Sequence, residues 1–395
     1  MADSVQLKKD SIIFSHDDAM YILVNQTFIL KYLILPYMDI EQRFSLIKQV
    51  GEEIITDDEL RELLTSKKQL IAYDGFEPSG TNIHIAQGLL RAININKMTQ
   101  AGCTFKMFVA DWHAWANNKM GGDLEKIQKV GKYLIEVWRT CDMDLKNVEF
   151  VWASDLMKDT EYLKLVMQVA RNSTVNRIIR CAQIMGRQES EALQASQILY
   201  PCMQAADIFY LKADICQLGM DQRKVNVLAR ELAPKLGFTK PIIISHHMLM
   251  GLGEPPKTDD AVERAMAMKM SKSKPETAIF MTDLPADVAK KIQKAYCPEG
   301  IVEENPILEY CKYILFEKFP VLKIERPAKF GGNLEFKSYT ELETAFADKK
   351  LHPMDLKQSV AKYINLLLEP VQKKLAANKT AQKLAAEIKT FEITR

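Results

Sequence analysis

The chain contains the run QLIAYDGFEPSGTNIH at residues 69–84, which predicts a strand, a turn and the start of a helix. Residues 69–73 are mostly apolar, whereas Gly75, Pro78 and Gly80 are turn formers. A strand, a glycine-bearing loop and a helix together direct backbone N–H groups at an anion. His84 opens the predicted helix and would reach a bound phosphate there, although a lone histidine at a helix start is more often structural.

Predicted strands and helices alternate on both sides of this run. The further strands are predicted at residues 104–110, 148–152, 213–217 and 241–245, and the helices at residues 40–66, 83–98, 123–141 and, as two or three pieces, 160–211. This alternation predicts an α/β fold with a parallel sheet, whose ligand binds beyond the carboxyl ends of the strands. Tyr73, Asp111 and residues 219–222 lie at or just past predicted strand ends, so we expect them in one crevice.

Three polar residues share one face of a helix that is predicted to start near residue 200. Tyr200, Gln204 and Asp207 are spaced i, i+4 and i+7, and Pro201 suits a first helical turn. The residues between them are small or apolar. Two interpretations follow: a solvated polar stripe, or a ligand-binding wall in which the ligand supplies partners to a buried carboxylate. The predicted crevice favours the second.

A lysine-rich segment follows the last predicted strand. Residues 269–274 contain three lysines and two serines, and lysine ammonium groups suit phosphate oxygens. An ordinary solvated basic loop has the same composition, but the predicted anion-binding turn at residues 69–84 favours a phosphate role. From about residue 285 the chain has few glycines and a helical pattern, which predicts a second, mainly α-helical domain.

The amino-acid composition indicates in which cellular compartment the chain works and whether it binds a metal. The 53 basic residues nearly balance the 51 acidic ones, so net charge indicates no particular partner. Seven cysteines without a Cys-x-x-Cys pair are typical of free thiols in a reducing compartment, and six histidines without ligand spacing predict no metal site. Residues 20–38 are apolar, but Lys31 and Pro36 are among the residues that argue against a membrane span. The N-terminus does not resemble a secretory signal, so we expect a cytoplasmic protein.

The order of these pieces resembles the class I aminoacyl-tRNA synthetases. Residues 84–87 stand where that class carries its HIGH signature, with Gln87 in place of the second histidine, and residues 269–273 match the KMSKS signature letter for letter. Over about residues 45–370 the chain is similar to tyrosyl-tRNA synthetases of the archaeal and eukaryotic cytosolic type. The motifs that carry this similarity are Tyr73-x-Gly75, Tyr200-x-x-x-Gln204-x-x-Asp207, Gly219-x-Asp221-Gln222-Arg223-Lys224, Lys329-Phe330-Gly331-Gly332 and His352-Pro353-Met354-Asp355-Leu356-Lys357.

The resemblance implies a role for each matched residue. The residues implied for tyrosine are Tyr73 and Asp207 at the phenol hydroxyl, Tyr200, Gln204 and Gln222 at the ammonium group, and Ala110 and His113 along the pocket. Those implied for ATP are Gly75 and Asp221 at the ribose, His84 at the α-phosphate, and Lys269, Met270, Ser271, Lys272 and Ser273 around the pyrophosphate, with His84, Lys269 and Lys272 catalytic. Those implied for the tRNA anticodon are Phe330, His352 and Asp355.

The resemblance also implies the reaction and the domain organisation. The chain would be a tyrosine–tRNA ligase that forms tyrosyl-adenylate from L-tyrosine and ATP, then transfers the tyrosyl group to the 3' end of tRNA(Tyr). ATP with Mg2+ would be a substrate, with no tightly bound cofactor and no partner among membranes or DNA. Residues 1–40 would form an extension of unknown role. Residues 41–284 would form a Rossmann-like catalytic domain with a helical dimer-interface insertion at about 160–200, and residues 285–395 an α-helical anticodon-binding domain of a homodimer.

Three rival functions stay open at the level of sequence. A tryptophanyl-tRNA synthetase shares fold and reaction, but the pairing of Tyr73 with Asp207 favours a phenol over an indole. A small-molecule nucleotidyltransferase would not need a helical tail with two tRNA-type motifs. A catalytically inactive RNA-binding paralogue would be expected to lose one of four residues, and all four are present: Lys269, Lys272, Asp207 and Gln222.

Overall fold

A six-stranded sheet organises the fold in this computed structural model, which describes residues 38–181, 193–258, 264, 267–271 and 274–391. Its strands are β1 Glu53–Ile55, β2 Leu70–Phe76, β3 Cys103–Val109, β4 Val148–Trp152, β5 Ile215–Gly219 and β6 Ile242–His246. They lie in the order β1-β6-β5-β2-β3-β4, with β1 antiparallel to β6 and every other pair parallel. The predicted α/β fold with a parallel sheet is confirmed. Residues 1–37 of the predicted extension lie outside the described residues.

Helices connect these strands. In chain order they are α1 Ile40–Lys48, α2 Asp57–Ser66, α3 Arg91–Gln100, α4 Asp111–Ala116, α5 Leu124–Trp138, α6 Ala153–Leu156, α7 Thr160–Arg171, α8 Val175–Ile179, α9 Ala195–Tyr210 and α10 Arg223–Leu236. A π-helical turn, Ala86–Leu90, leads directly into α3, and a 3-10 turn, Met220–Gln222, leads into α10.

Helix α5 shows how local sequence produces these elements. Asp123 caps its N-terminus by accepting a hydrogen bond from Lys126 N–H at 3.1 Å. The apolar residues that recur at helical spacing along this helix are all buried: Ile127, Val130, Leu134, Val137 and Trp138. Because burial contributes about 25 cal/mol per Å2 of apolar surface, the spacing of these residues decides which side of α5 faces the sheet.

The strand order creates a switch point between β2 and β5. From β2 the chain adds β3 and β4 on one side, then returns to place β5 and β6 on the other. Open parallel sheets bind ligands beyond the carboxyl ends of the strands at such a reversal. Tyr73 on β2 pairs in register with Cys216 on β5, so the two strands that flank the reversal carry residues of the predicted crevice.

Two local predictions were wrong. Residues 40–66 form α1, the short strand β1 and α2 rather than one helix, because β1 gains its hydrogen bonds from β6, about 190 residues away, and three residues are too few to show a period of two. Pro201 is not in a first turn, since α9 begins at Ala195 and contains Pro201 in its interior. The residues before Pro201 continue the helical pattern, and tertiary packing outweighs the lost backbone hydrogen bond.

The C-terminal part is mainly α-helical, as predicted. Its elements are α11 Pro285–Lys294, α12 Pro306–Tyr310, α13 Phe316–Lys318, β7 Leu322–Ile324, β8 Leu334–Phe336, α14 Tyr339–Ala347, α15 Pro353–Ala377 and α16 Lys379–Ile388. Strands β7 and β8 pair antiparallel and were not predicted. The predicted domain boundary at residue 284 stays a prediction.

Two apolar clusters account for the interior of the described chain. One runs from Phe44 through one face of the sheet to Ile388, so the C-terminal helices share a core with the sheet. The other contains Tyr73, Phe108 and the inner sides of α7, α9 and α10. Within the described residues no helix has both the length and the apolarity needed to cross a membrane.

Candidate active site

A fully buried carboxylate, Asp207, lies at the centre of a group of aromatic residues that we call the Asp207 cluster: Tyr73, His113, Tyr162, Tyr200 and Asp207. The Tyr162 hydroxyl on α7 donates to Asp207 Oδ1 at 2.7 Å. His113 Nε2 on α4 lies 3.0 Å from Asp207 Oδ2, but this pair lacks hydrogen-bond alignment. Asp207 Oδ2 and both ring nitrogens of His113 have no hydrogen-bond partner among the described residues. Buried polar atoms are normally paired, so these atoms suit a polar group of a ligand.

Aromatic rings enclose this carboxylate. The His113 ring packs edge-on against Tyr200 at 5.0 Å and against Phe108 at 5.6 Å between ring centroids. Burial, followed by the negative charge of Asp207, raises the pKa of Tyr73 and of Tyr162 well above the usual value. Both phenols therefore remain protonated, and each can act as a hydrogen-bond donor at the cluster.

The three polar residues predicted on one face of α9 are all buried. Gln204 Nε2 donates to Gln222 Oε1 at 3.1 Å, which joins α9 to the turn after β5. Tyr200 and Asp207 belong to the Asp207 cluster on the same helix. The interpretation of this face as a solvated stripe is therefore wrong, because all three side chains are nearly inaccessible to solvent.

Two residues of the site were missed by sequence reasoning. Tyr162 binds Asp207 across 45 positions of sequence. Glu77 accepts a hydrogen bond from Asn117 Nδ2 at 3.0 Å and, after burial, is the largest cause of the raised pKa of Tyr200. Glu77 lies inside the turn that was predicted to bind an anion, so its position in the sequence could have identified it as a site residue. Tyr162 lies among apolar residues of α7, and no feature of the sequence there indicates a role in the site.

His84 lies two residues before the π-helical turn that begins at Ala86, instead of in a first α-helical turn. It is buried, its Nδ1 accepts Gln87 N–H at 3.3 Å, and its backbone bridges to Phe280. This bridge attaches the predicted anion-binding turn to the chain that follows the lysine segment. The predicted contact of His84 with a phosphate stays a prediction.

The lysine segment reaches the end of β5 through one ion pair. Lys269 Nζ donates to Asp221 Oδ2 at 3.1 Å, and both side chains remain partly exposed, at 29% and 27%. Gly219 leaves the room that this turn needs, because a Cβ there would lie 2.7 Å from Asp221 Oδ1. The structure thus brings together the residues predicted for the ribose and for the pyrophosphate.

The rest of the lysine segment is only partly described. Met270 is buried, and its N–H donates to Leu249 O at 2.9 Å. Ser271 O accepts Lys274 N–H at 3.3 Å. Lys272 and Ser273 lie outside the described residues, as does Arg187 of the predicted insertion.

The predicted crevice needs correction in two places. Tyr73 lies in the middle of β2, not at its end, because β2 continues to Phe76. Asp111 follows β3 as expected, but it is fully buried and its oxygens accept hydrogen bonds from Trp112 N, Ser154 N, Ser154 Oγ and Gln128 Nε2. The partners of Asp111 are thus within the chain, and it attaches α4 to neighbouring elements.

Gly75 and Ala110 occupy positions where a small residue is needed or tolerated. A Cβ at Gly75 would lie 3.3 Å from the Tyr73 hydroxyl oxygen. Ala110 is buried, and its N–H donates to Phe76 O at 2.9 Å immediately before the helix that carries His113. The contacts predicted for them with ribose and tyrosine stay predictions.

The residues predicted to contact the anticodon lie in the C-terminal part. Phe330 is 59% exposed, and His352 caps α15 by accepting Met354 N–H at 3.2 Å, with Asp355 in the first turn. Arg326 links the first motif to the loop just before the second, because it donates to Gly332 O at 2.8 Å and to Lys350 O at 3.0 Å. An exposed aromatic ring beside a basic loop suits base stacking, and the role in tRNA recognition stays a prediction.

Among the described residues, no group of three or more histidine, cysteine, aspartate or glutamate side chains is placed to hold a metal ion. The expectation that the chain has no metal of its own stays a prediction, because part of the lysine segment lies outside the described ranges.

Comparison with known proteins identifies the family. A sequence profile of tRNA synthetases class I (W and Y) matches residues 65–369. Tyrosine--tRNA ligase 1, cytoplasmic, of Arabidopsis thaliana is 49% identical over 360 residues, which are 90% of this chain and 90% of the relative. The chain belongs to the tyrosyl-tRNA synthetase family. The resemblance seen in the sequence motifs is thereby confirmed.

Solved structures of two synthetases resemble the fold of this tyrosyl-tRNA synthetase to different degrees. Tyrosyl-tRNA synthetase from Pyrococcus horikoshii, solved in complex with L-tyrosine, has a TM-score of 0.83 and 40% identity, covering 89% of this chain and 100% of that one. Tryptophanyl-tRNA synthetase from Plasmodium falciparum has a TM-score of 0.63 and 16% identity, covering 88% and 89%. The second likeness shows a shared fold alone. As a class I synthetase, the chain is an aminoacyl-tRNA ligase that uses ATP.

Proposed function

We propose that the protein is a tyrosine–tRNA ligase whose selectivity for tyrosine comes from the Asp207 cluster. The single observation that carries this proposal is the buried Asp207 Oδ2, which has no hydrogen-bond partner among the described residues. The phenol hydroxyl of tyrosine would donate to this oxygen and accept from Tyr73. Phenylalanine would leave the carboxylate desolvated and unpaired, which is costly. Tyrosyl-tRNA synthetases are themselves the established example of selectivity through unpaired polar groups.

The first step joins the substrates without a protein nucleophile. An oxygen of the tyrosine carboxylate attacks the α-phosphorus of ATP, the bond to the bridging oxygen breaks, and pyrophosphate leaves. Gln204, held by Gln222, and Tyr200 would bind the tyrosine ammonium group, and so orient the carboxylate. His84 and Lys269 would offset the negative charge that develops on the phosphates. Positioning and preorganised charge supply this kind of catalysis.

The second step releases the adenylate. A hydroxyl of the terminal ribose of tRNA attacks the tyrosyl carbonyl carbon, and AMP leaves with the electron pair of the broken bond. We propose tRNA(Tyr) as the acceptor, read through Phe330, His352 and Asp355. The exposed ring of Phe330 and the Arg326 contacts that link the first motif to Lys350, just before the second motif, support this assignment.

We propose that Mg2+ arrives with ATP instead of residing in the chain. Magnesium commonly binds through substrate phosphates and keeps several waters, and the described residues hold no cluster of three or more potential ligands. The ion would offset phosphate charge, while the chain supplies Lys269 and His84 around it.

We also propose a homodimer and a cytoplasmic location. Leu163 and Met167 lie one turn apart on α7 and are 44% and 63% exposed. Val175 and Leu199 are further exposed apolar residues of the insertion predicted at residues 160–200. Exposed apolar surface favours an interface between copies. Sedimentation of the full chain tests the dimer. The similarity to a cytoplasmic ligase of Arabidopsis thaliana supports the location.

Amino-acid-dependent exchange between ATP and pyrophosphate tests the proposed function. All twenty amino acids are assayed with the full chain, and exchange with tyrosine alone is the expected result. Exchange with tryptophan would keep the fold and overturn the assignment of the Asp207 cluster. An absence of exchange with every amino acid would instead favour an inactive RNA-binding paralogue.

A further inference from the structure

Residues 249–251 form an extended segment that pairs with the lysine segment. Gly251 N–H donates to Met268 O at 2.8 Å, and Met270 N–H donates to Leu249 O at 2.9 Å. Met250 and Lys269 therefore face each other as an antiparallel bridge. Because this bridge uses backbone groups on either side of Met250, the N–H and C=O of Met250 itself point away from Lys269.

Two consecutive residues at the end of α12 bind the outward groups of Met250. Glu309 Oε2 accepts Met250 N–H at 2.9 Å, and the Tyr310 hydroxyl donates to Met250 O at 3.3 Å. Tyr310 is fully buried. Met250 is thus bound on one edge to the C-terminal part and on the other to the lysine segment, so a shift of α12 is transmitted to Lys269.

His247 lies between the carboxylates of Glu309 and Glu52. Its Nε2 lies 3.0 Å from Glu309 Oε2, and its Nδ1 lies 3.1 Å from Glu52 Oε1. The ring also stacks on Tyr313 at 4.2 Å with an interplanar angle of 9°. Burial opposes charge on the imidazole, but the carboxylates of Glu309 and Glu52 outweigh it and raise the pKa of His247 to about 9.

The neighbouring histidine has the opposite electrostatic environment. Burial lowers the pKa of His246 to about 4, and its Nδ1 lies 2.6 Å from Gln217 Nε2. Two adjacent imidazoles therefore differ in protonation near neutral pH. The charge on His247 comes from its position between two carboxylates, one beside β1 and one on α12.

We propose that Glu309, Tyr310 and His247 form a clamp on Met250 that positions Lys269 for the activation of ATP. These are positioning residues, since they act on the substrate only through the Met250–Lys269 bridge. Lys269, which pairs with Met250, in turn donates from Nζ to Asp221 Oδ2 at 3.1 Å. This inference rests on the proposed function. It assigns a role in ATP activation to three residues that lie between the sheet and the C-terminal helices.

Steady-state tyrosine-dependent exchange in Glu309→Ala tests the clamp. We expect kcat/KM for ATP to fall about tenfold, because small displacements of a catalytic group have effects of this size or larger, while KM for tyrosine stays unchanged. Glu309→Gln keeps an acceptor for Met250 N–H and should recover most of the loss. Glu369→Ala is the matched control, because Glu369 pairs with exposed Lys373 on α15, and it should leave all parameters unchanged.

A second variant covers the case in which Glu309→Ala does not fold. Tyr310→Phe removes one hydroxyl and is expected to lower kcat/KM for ATP about threefold, again without a change in KM for tyrosine. If the folded variants keep wild-type ATP kinetics, or lose ATP and tyrosine kinetics in parallel with a lower Tm, the clamp is overturned. Absence of exchange in the wild-type chain would overturn the proposed function instead.

Discussion

The proposed tyrosine side and the proposed ATP side of the site are built differently. In the Asp207 cluster every side chain is nearly inaccessible to solvent, and the Tyr162 hydroxyl holds one oxygen of the carboxylate while His113 packs beside the other. On the ATP side, Lys269 and Asp221 are each more than a quarter exposed, and Lys269 depends on a bridge to Met250.

This difference corresponds to two tasks. Discrimination between tyrosine and phenylalanine requires polar groups that are desolvated before the substrate binds, since water would otherwise supply the missing partner. Binding of a polyphosphate requires charge that reaches the ligand after it enters, which a partly exposed lysine on a loop provides. Substitutions on the two sides should therefore have separable effects on tyrosine and on ATP.

Replacing Asp207 should have the largest effect. Asp207→Ala removes the carboxylate proposed to accept from the phenol of tyrosine and leaves the Tyr162 hydroxyl buried without its partner. A lost hydrogen bond to a charged group costs about 1.5–3 kcal/mol, and an unpaired buried polar group about 1–3 kcal/mol. We expect tyrosine-dependent exchange to fall about a thousandfold in kcat/KM for tyrosine. Stopped-flow and steady-state exchange measure this, with circular dichroism as the check on folding. Wild-type rates in a folded Asp207→Ala variant would contradict the assignment of the cluster.

Replacing Lys269 should have a smaller effect, which we expect on the activation of ATP and not on tyrosine binding. Lys269→Ala removes one preorganised cation from the developing phosphate charge, and such groups contribute about a hundredfold in kcat. Tyrosine affinity, measured by equilibrium dialysis, should stay within twofold or so of wild type. A variant impaired in tyrosine binding alone would show that the two sides are not separate.

The clamp should make stability depend on pH. The pKa of His247 is raised to about 9 in the folded chain, against roughly 6.5 in the unfolded chain. Its contribution is therefore fully present below pH ~6.5 and is lost as pH rises through 9. We expect the difference in unfolding free energy between wild type and His247→Gln to shrink by roughly 3 kcal/mol between pH ~6.5 and ~9.5. Urea unfolding measures it, and a difference that is constant with pH would show that His247 is not the titrating group.

Removing the Tyr162 hydroxyl should have the smallest effect. Tyr162→Phe deletes one hydrogen bond to a charged group, worth about 1.5 kcal/mol, so KM for tyrosine should rise roughly tenfold and discrimination against phenylalanine should weaken. Tyr210→Phe is the matched control. Tyr210 also donates to a carboxylate, Asp159, at 2.5 Å, and its ring contacts Tyr162, but it lies outside the cluster. Equal effects of both variants would mean that Tyr162 acts only through packing.

Local patterns predicted most of the catalytic fold. Five parallel strands and the helices between them follow from apolar periodicity, which reflects burial within a few residues of chain. Strand β1 could not be predicted this way, because its three residues are extended only through pairing with Ile243 to Ser245. The same limit applies to β7 and β8, each three residues long.

Sequence reasoning also identified most of the candidate site, since motif spacing placed Tyr200, Gln204 and Asp207 on one face of α9. It missed Tyr162, which occupies an otherwise apolar face of α7 and meets Asp207 only because α7 packs on α9. It also gave no indication that Glu309 and Tyr310 would bind Met250, which is 59 and 60 positions away.

The sequence by itself determined the longer helices and the five parallel strands and the family to which the chain belongs, because periodicity and motif spacing are properties of neighbouring residues. Only the tertiary structure decided which polar groups meet: Asp207 with Tyr162 and His113, Lys269 with Asp221, and His247 with Glu52 and Glu309. The physical reason is the short range of hydrogen bonds and ion pairs. Hydrogen bonds and strong ion pairs need atoms about 3 Å apart, and the order of strands in the sheet decides which distant residues reach that distance.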